Sequence, residues 1–317
     1  MENLENSYIV SEIKRIKSEK NAIILAHYYQ TEDIQDIADF VGDSLALSQK
    51  AASNTADIIL FAGVKFMAET AKILSPEKKV LLPDLEAGCS LSDSCNPEDF
   101  KKFIASNPGR VVVTYVNTSA EIKALSDIVC TSSNALKIIE SLPEGDKILF
   151  APDRNLGNYI LNKTDRDMII WDGSCHVHEE FSLEAILELK NKNPEAKIIV
   201  HPECKLPIRM IADFIGSTSE LLKFTQKDPG KIFIIATEPG IIHQMVRLNP
   251  EKTYIPAPGK DSSCGCSECR FMKLITMEKI HKTLISETPE ILLDSEIIRL
   301  GQIPIKRMLE LSEKLGL

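Results

Sequence analysis

A chain of 317 residues, 44% hydrophobic and 26% charged, has the composition of a globular protein with more than one ordinary domain, which excludes disordered and fibrous architectures. Its net charge of −9 argues against a sequence-independent grip on nucleic acid or an anionic membrane, so binding charge for a small anion must be built locally. No apolar run approaches the roughly 18 residues of a membrane-spanning helix, the first residues are too acidic for a secretory leader, and eight cysteines in such a chain predict a reducing, cytoplasmic setting with metal binding or catalysis rather than disulfides.

Taken in order, short β-branched runs alternate with helical stretches, which is an α/β pattern, and they fall into three sets with one internal order. The first has strands at Ala22–Ala26, Asp57–Ala62 and Lys79–Leu82 and ends near Cys89. The second has them at Arg110–Thr114, Asp127–Cys130 and Lys147–Phe150 and ends near Cys175. The third has them at Ala196–Val200, Asp213–Ile215 and Lys231–Ala236 and ends in a cluster of Cys264, Cys266 and Cys269. Matching landmarks lie 86 to 94 residues apart. Each set predicts a small parallel sheet of three to four strands covered by helices. Predicted helices are Asp33–Ala52, Lys65–Leu74, Ala135–Ser141, Leu183–Lys192, Ser219–Thr225, Gly240–Arg247 and Phe271–Glu287, with short amphipathic helices at Asp294–Leu300 and Ile305–Leu315. The first set is the odd one, because the segment Asp33–Ala52 separates its first two predicted strands. Domain boundaries are expected at residues 1–96, 97–180 and 181–269, with 270–317 packing back on the first domain.

Ligands of open parallel sheets bind beyond the carboxyl ends of the strands. Polar pairs stand at those ends in all three sets: His27 and Tyr29, Tyr115 and Asn117, His201 and Glu203. The second strands lead into hydroxyl-rich helix starts, Thr131-Ser132-Ser133-Asn134 and Gly216-Ser217-Thr218-Ser219, with Gly42-Asp43-Ser44 as a further candidate. Such residues are ordinary helix caps, yet they also present free N–H groups to an anion without clustered arginine or lysine.

The cysteines bear on a cofactor. Cys95, Cys130 and Cys204 read as small buried or loop residues. The C-x-C-x-x-C cluster lacks the second local pair that structural zinc prefers, and His176/His178 are spaced as H-x-H, which serves a metal or simply lies in a loop. One thiolate per repeat instead matches the threefold symmetry of a 4Fe–4S cube. Three cysteines would hold three irons and leave the fourth open as a Lewis acid. Competing readings are a cysteine-based redox sensor, a hydro-lyase of the aconitase type and a zinc hydrolase.

The residues that carry these features are similar to those of the quinolinate synthase family: Ala26-His-Tyr-Tyr-Gln30, Gly42-Asp-Ser44, Gly88-Cys-Ser-Leu-Ser92, Tyr115-Val-Asn-Thr118, Thr131-Ser-Ser-Asn-Ala135, Cys175-His-Val-His-Glu179, His201-Pro-Glu-Cys204, Gly216-Ser-Thr218 and Ala236-Thr-Glu-Pro-Gly240. They span nearly the whole chain in order. The resemblance implies three homologous αβα-sandwich domains around a pseudo-threefold axis, with an oxygen-sensitive 4Fe–4S cluster at the centre. It also implies a transferase of de novo NAD biosynthesis that condenses iminoaspartate with dihydroxyacetone phosphate to quinolinate, phosphate and water, without net redox. Iminoaspartate would come from an aspartate oxidase.

Residue by residue, the resemblance implies that Cys89 and Cys175 are cluster ligands. Cys269 is preferred as the third because it directly precedes the Phe-Met-Lys-Leu helix start, with Cys264 and Cys266 as alternatives. Some family members carry C-x-x-C-x-x-C there and others fewer cysteines; the two spare thiols here are either inert or form a reversible disulfide that modulates activity. Glu203, Tyr29, Tyr115 and His201 are matched to the reacting carbons. Asn117, Ser132 and Thr218 match donors to the two carboxylates, and His27, Ser44 and His178 line the phosphate and triose end.

Overall fold

The computed structural model describes residues 2–260 and 267–317. Its buried apolar runs pair as parallel strands in three four-stranded sheets of identical order. The first is β1 (Ala22–His27), β2 (Phe40–Gly42), β3 (Ile58–Ala62) and β4 (Lys79–Leu81), ordered β2-β1-β3-β4. The second is β5 (Val111–Tyr115), β6 (Ile128–Cys130), β7 (Ile148–Ala151) and β8 (Met168–Ile170), ordered β6-β5-β7-β8. The third is β9 (Lys197–Val200), β10 (Phe214–Ile215), β11 (Ile232–Ala236) and β12 (Thr253–Pro256), ordered β10-β9-β11-β12. Even the register repeats: Leu25 lies opposite Phe40, Val113 opposite Ile128 and Ile199 opposite Phe214. Helices cover the sheets, giving the α/β architecture of three αβα layers.

The structure corrects the reading of the first repeat. Asp33–Ala52 is not one helix but a helix (Glu32–Ile37), strand β2 and a second helix (Ser44–Ser53). The second strand therefore stands at the same distance from the first in every repeat, and the predicted strand Asp57–Ala62 is the counterpart of Lys147–Phe150 and Lys231–Ala236. An aspartate pins each pair. The carboxylate oxygens of Asp39, Asp127 and Asp213 accept from the N–H groups of Ile24, Val112 and Ile198 at 2.7, 2.8 and 2.8 Å. The same aspartates donate their own N–H groups back to those three carbonyls. The edge strands β8 and β12 escaped notice because they are short and only half-buried.

Several helices begin and end where the apolar period places them, at Lys65–Leu74, Ala135–Ser141 and Leu183–Lys192. Phe271–Glu287 divides into a single 3₁₀ turn (Met272–Leu274) and a helix (Met277–Ser286). The two short helices expected after residue 294 are instead one, Ser295–Lys314, running through Pro304. A proline inside a helix removes one backbone bond. Here burial compensates, since Pro304, Ile305 and Met308 are all enclosed. That helix lies against Lys65–Leu74, Ala120–Ala124 and β6, so it bridges the first and second sheets. One apolar core is continuous through the first sheet, one face of the second and the C-terminal helices; the other face of the second sheet and both faces of the third have cores of their own. Among the described residues, no helix is long and apolar enough to cross a membrane.

Candidate active site

The carboxyl ends of the first strands from all three repeats meet at one cavity of about 620 Å³. All thirteen residues singled out in the sequence line it: His27, Tyr29, Ser44, Cys89, Tyr115, Asn117, Ser132, Cys175, His178, His201, Glu203, Thr218 and Cys269. Parallel strands explain the convergence, because equivalent strand ends point the same way in each repeat.

Two of the repeats build the same local device. The Tyr29 N–H donates to His27 Nδ1 at 3.2 Å, and the Glu203 N–H donates to His201 Nδ1 at 3.3 Å. With Nδ1 accepting, the neutral ring carries its proton on Nε2. Burial pushes the His27 imidazole down to about 4 and the His201 imidazole down to about 3, so both are neutral donors near pH 7. His201 Nε2 lies 3.3 Å from Ser132 Oγ, and its ring stacks on His178 with centroids 4.6 Å apart.

Glu203 is the charged centre. The Tyr115 hydroxyl donates to its Oε1 at 2.6 Å, and His178 Nδ1 lies 3.2 Å from its Oε2. Burial opposes the charge, but His178 and the hydrogen bond from the Tyr115 hydroxyl outweigh it and hold the carboxyl below its ordinary range. Burial, reinforced for Tyr115 by Glu203, raises both the Tyr29 and Tyr115 phenols well above theirs, so each remains protonated. Tyr29 Oη hydrogen-bonds to Thr218 Oγ1 and Thr237 Oγ1, both at 2.8 Å, and Thr237 Oγ1 lies 3.0 Å from His178 Nε2.

The helix starts also reach the cavity. Asp43 caps the helix Ser44–Ser53 by accepting from the Ala46 N–H at 3.1 Å, and accepts from Ser133 Oγ at 2.7 Å. Ser217 and Glu220 form a reciprocal cap on the helix Thr218–Lys227. Among the described residues, Asn117 Oδ1 and Thr131 Oγ1 line the cavity without a hydrogen-bond partner.

Each cysteine stands just before a short helical turn: Ser90–Asp93, His176–Glu179 and Met272–Leu274. Backbone N–H groups of that turn face the sulfur, from Leu91 and Ser92 for Cys89, from His178 for Cys175, and from Phe271 and Met272 for Cys269. The residues that follow the cysteines touch one another. Ser90 Oγ lies 2.8 Å from His176 Nδ1, and the His176 ring meets the Phe271 ring edge-on at 5.8 Å. Three free thiols from three repeats thus share one centre. Burial pushes Cys89 up to about 12 and raises the other two, so the sulfurs are protonated unless a cation displaces the protons. That donor set fits an iron–sulfur cluster. In addition, ligand atoms of Cys175, His178 and Glu203 lie within 4.8 Å of one another. Of the H-x-H pair, then, only His178 lines the cavity; His176 packs outside it. Cys264 and Cys266, the alternative ligands and the suggested disulfide pair, lie outside the described residues.

Comparison with known proteins agrees with this geometry. The family described as Quinolinate synthetase A protein matches residues 11–310. The chain belongs to the quinolinate synthase family. It is similar to the quinolinate synthase of Microcystis aeruginosa, at 58% identity over 300 residues, covering 95% of this chain and 94% of that one. Similar values hold for the quinolinate synthases of Synechocystis sp. (57% over 304 residues, 96% and 95%) and Nostoc sp. (58% over 301 residues, 95% and 92%).

Four contributors were assigned no role from the sequence, although Thr237 and Glu238 stand in the Ala236-Thr-Glu-Pro-Gly240 stretch. Thr237 joins Tyr29 to His178. Glu238 is fully buried and pairs with Lys273 at 2.8 Å, and Lys273 also donates to the Tyr29 carbonyl at 2.7 Å. Asp153 is fully buried beside Cys175 and Glu203. For Asp153 the one sequence cue is its place just after a third strand, which it shares with Thr237 and Glu238.

Proposed function

We propose that this chain condenses iminoaspartate with dihydroxyacetone phosphate to quinolinate, inorganic phosphate and water, as a cytoplasmic transferase of NAD biosynthesis. The observation that carries the reading is the meeting of three cysteines, one per repeat, with polar strand ends from all three sheets. Cys89, Cys175 and Cys269 would hold a 4Fe–4S cluster, whose fourth iron supplies Lewis acidity toward hydroxyl or carboxylate oxygen without net redox. We assign the repeats to residues 1–96, 97–180 and 181–269, with 270–317 as a closing segment.

The chain's own groups divide the remaining work. Asn117, Ser132 and Thr218 offer hydrogen bonds to the two carboxylates of an aspartate-derived reactant. His27, Ser44 and His178 face the phosphate and triose end. The Nε2–H groups of neutral His27 and His201 donate and do not compete as bases. Ionised Glu203 is the acceptor for protons released as the new carbon–carbon bond and ring form, and Tyr115 fixes its orientation. Tyr29, held by two threonines, is placed to donate to an oxygen that leaves. Enclosure by three repeats excludes water from an imine that hydrolyses readily. The same lability favours direct supply by an aspartate oxidase.

A mononuclear metal site is the second reading, favoured by the proximity of Cys175, His178 and Glu203. Anaerobic purification with iron, sulfide and zinc analysis, followed by assay for quinolinate, separates the two. About four iron and four sulfide per chain with quinolinate formed is the expected result. A colourless zinc protein, or an intact cluster without quinolinate, would overturn the first reading.

A further inference from the structure

The third strand of every repeat ends in alanine: Ala62, Ala151 and Ala236. Two residues later stand Val64, Asp153 and Glu238, and three residues later Lys65, Arg154 and Pro239. These positions face the segment that delivers the repeat's cysteine. In the first repeat the Lys65 N–H donates to the Ala87 carbonyl, two residues before Cys89, at 2.7 Å. In the second the Arg154 N–H donates to the Gly173 carbonyl, two residues before Cys175, at 2.8 Å. In the third the equivalent residue is Pro239, which has no N–H to give.

A carboxyl group supplies a different tie. Glu238 Oε1 accepts from the Cys269 N–H at 3.3 Å and from Lys273 Nζ at 2.8 Å, while its Oε2 accepts from the Gly240 N–H at 2.7 Å. Asp153 Oδ1 accepts from the Leu156 N–H at 2.7 Å. The Cys175 N–H stands near the same carboxyl without a hydrogen bond to it, Oδ2 has no hydrogen-bond partner among the described residues, and a backbone bridge from Asp153 to Gly173 holds the two segments side by side. Both acids are fully buried. The first repeat has only Val64 in that place.

We propose that Asp153 and Glu238 are repeat-related positioning residues that tether the main chain of Cys175 and Cys269, in a graded series: backbone tie alone for Cys89, backbone tie plus carboxyl for Cys175, carboxyl alone for Cys269. The grading follows from Pro239, which leaves Glu238 as the sole link of this kind in the third repeat among the described residues. The inference rests on the reading that these cysteines hold a cluster. Partners of metal ligands commonly govern metal retention, and their loss costs about 10–100-fold in affinity. Through Lys273, Glu238 also ties Cys269 to the Tyr29 main chain.

Glu238→Gln and Asp153→Asn keep the shape but bring an NH₂ group against N–H donors. Asp213→Asn is the control, because Asp213 also accepts a backbone N–H but at the opposite end of its sheet. The anaerobically purified full chain is exposed to the ferrous chelator bathophenanthroline disulfonate. Iron should leave Glu238→Gln about 10-fold faster than wild type, Asp153→Asn at an intermediate rate and Asp213→Asn at the wild-type rate. In iron-stripped chain, iodoacetamide labelling resolved by mass spectrometry should quicken at Cys269 alone for Glu238→Gln and at Cys175 alone for Asp153→Asn. Should Glu238→Gln fail to fold, Lys273→Met tests the same tie and should quicken Cys269 alone. Unchanged rates, equal quickening at all three cysteines, or the same effect from Asp213→Asn would overturn the tether. If wild type carries no iron–sulfur cluster, the proposed function falls, while the labelling pattern still decides the tether.

Discussion

Between the first and second repeats the contact is largely apolar and sealed by the helix Ser295–Lys314, whereas the third repeat meets them mainly through polar contacts, several of them lining the cavity. The first seam shares one core, and its polar links include buried ones away from the cavity, Glu69 accepting from the Ala120 N–H at 3.0 Å and Asn134 reaching Ser312 at 3.0 Å, and one at the cavity, Ser133 with Asp43. The second seam includes Tyr29 with Thr218 and Thr237, Tyr115 with Glu203, His201 with Ser132, Gln35 with Gly240 and Gln244, and His243 with Asp36. Apolar contact is non-directional and strong in sum, and hydrogen bonds to water can replace the polar kind at little net loss. The first two repeats therefore form the frame, and the third is the part whose seating completes the site. Separating it from the frame must break the interactions that align Glu203.

The largest expected effect tests that alignment. Glu203→Gln keeps the size of the group but removes the charge that faces Tyr115 and His178, and turnover should fall about 10²–10⁴-fold in a protein of normal fold and cluster content. Full turnover would remove Glu203 from proton transfer and leave the polar seam merely adhesive. Next, Met308→Ala should cost about 2–5 kcal/mol of stability by opening a hole in the apolar seam, read as a lower Tm. A loss no larger than that of an exposed substitution would show that the final helix does not hold the frame.

Acid should act on the cavity instead. His27 and His201 are held at about 4 and about 3 when folded, against an ordinary 6.5. Below pH 6.5 the unfolded chain binds these protons first. Stability is therefore full above 6.5 and falls by about 1.4 kcal/mol per pH unit per histidine on the way down to the folded values. Denaturation midpoints between pH 7 and 4.5 should fall less steeply for His27→Gln, and parallel curves would contradict the assignment. The smallest effect belongs to Gln244→Ala, which removes one bond between repeats. It should cost about 0.5–1.5 kcal/mol and speed hydrogen exchange only in loops facing the third repeat.

Most of the frame was legible because strand runs, helix period and strand-end polarity are local signals. The strand at Phe40–Gly42 was not, because three residues between two helices show no period of their own. Its marker, an aspartate 15 residues beyond the residue it pins in each repeat, becomes visible only once Asp39, Asp127 and Asp213 are compared. Pro304 misled for a similar reason: a local breaker was outweighed by burial that the sequence does not display. In the cavity, the residues at strand ends could be read because topology sends them to one place. Asp153 could not, since no motif announces it, and the stretch that holds Thr237 and Glu238 gives no sign of the partners they meet on other segments.

The helices Ser44–Ser53, Ala135–Ser141 and Thr218–Lys227 all start at the cavity, so the positive ends of three backbone dipoles point inward in a chain that is negative overall. Mobile ions weaken attraction by surface lysines but have no access to dipoles enclosed in the interior. If the reactants are the anions of the proposed function, ionic strength should accordingly have little hold on their capture. Between about 0.05 and about 0.5 M salt the KM should stay nearly constant, and any acceleration of approach should come from masking the negative exterior.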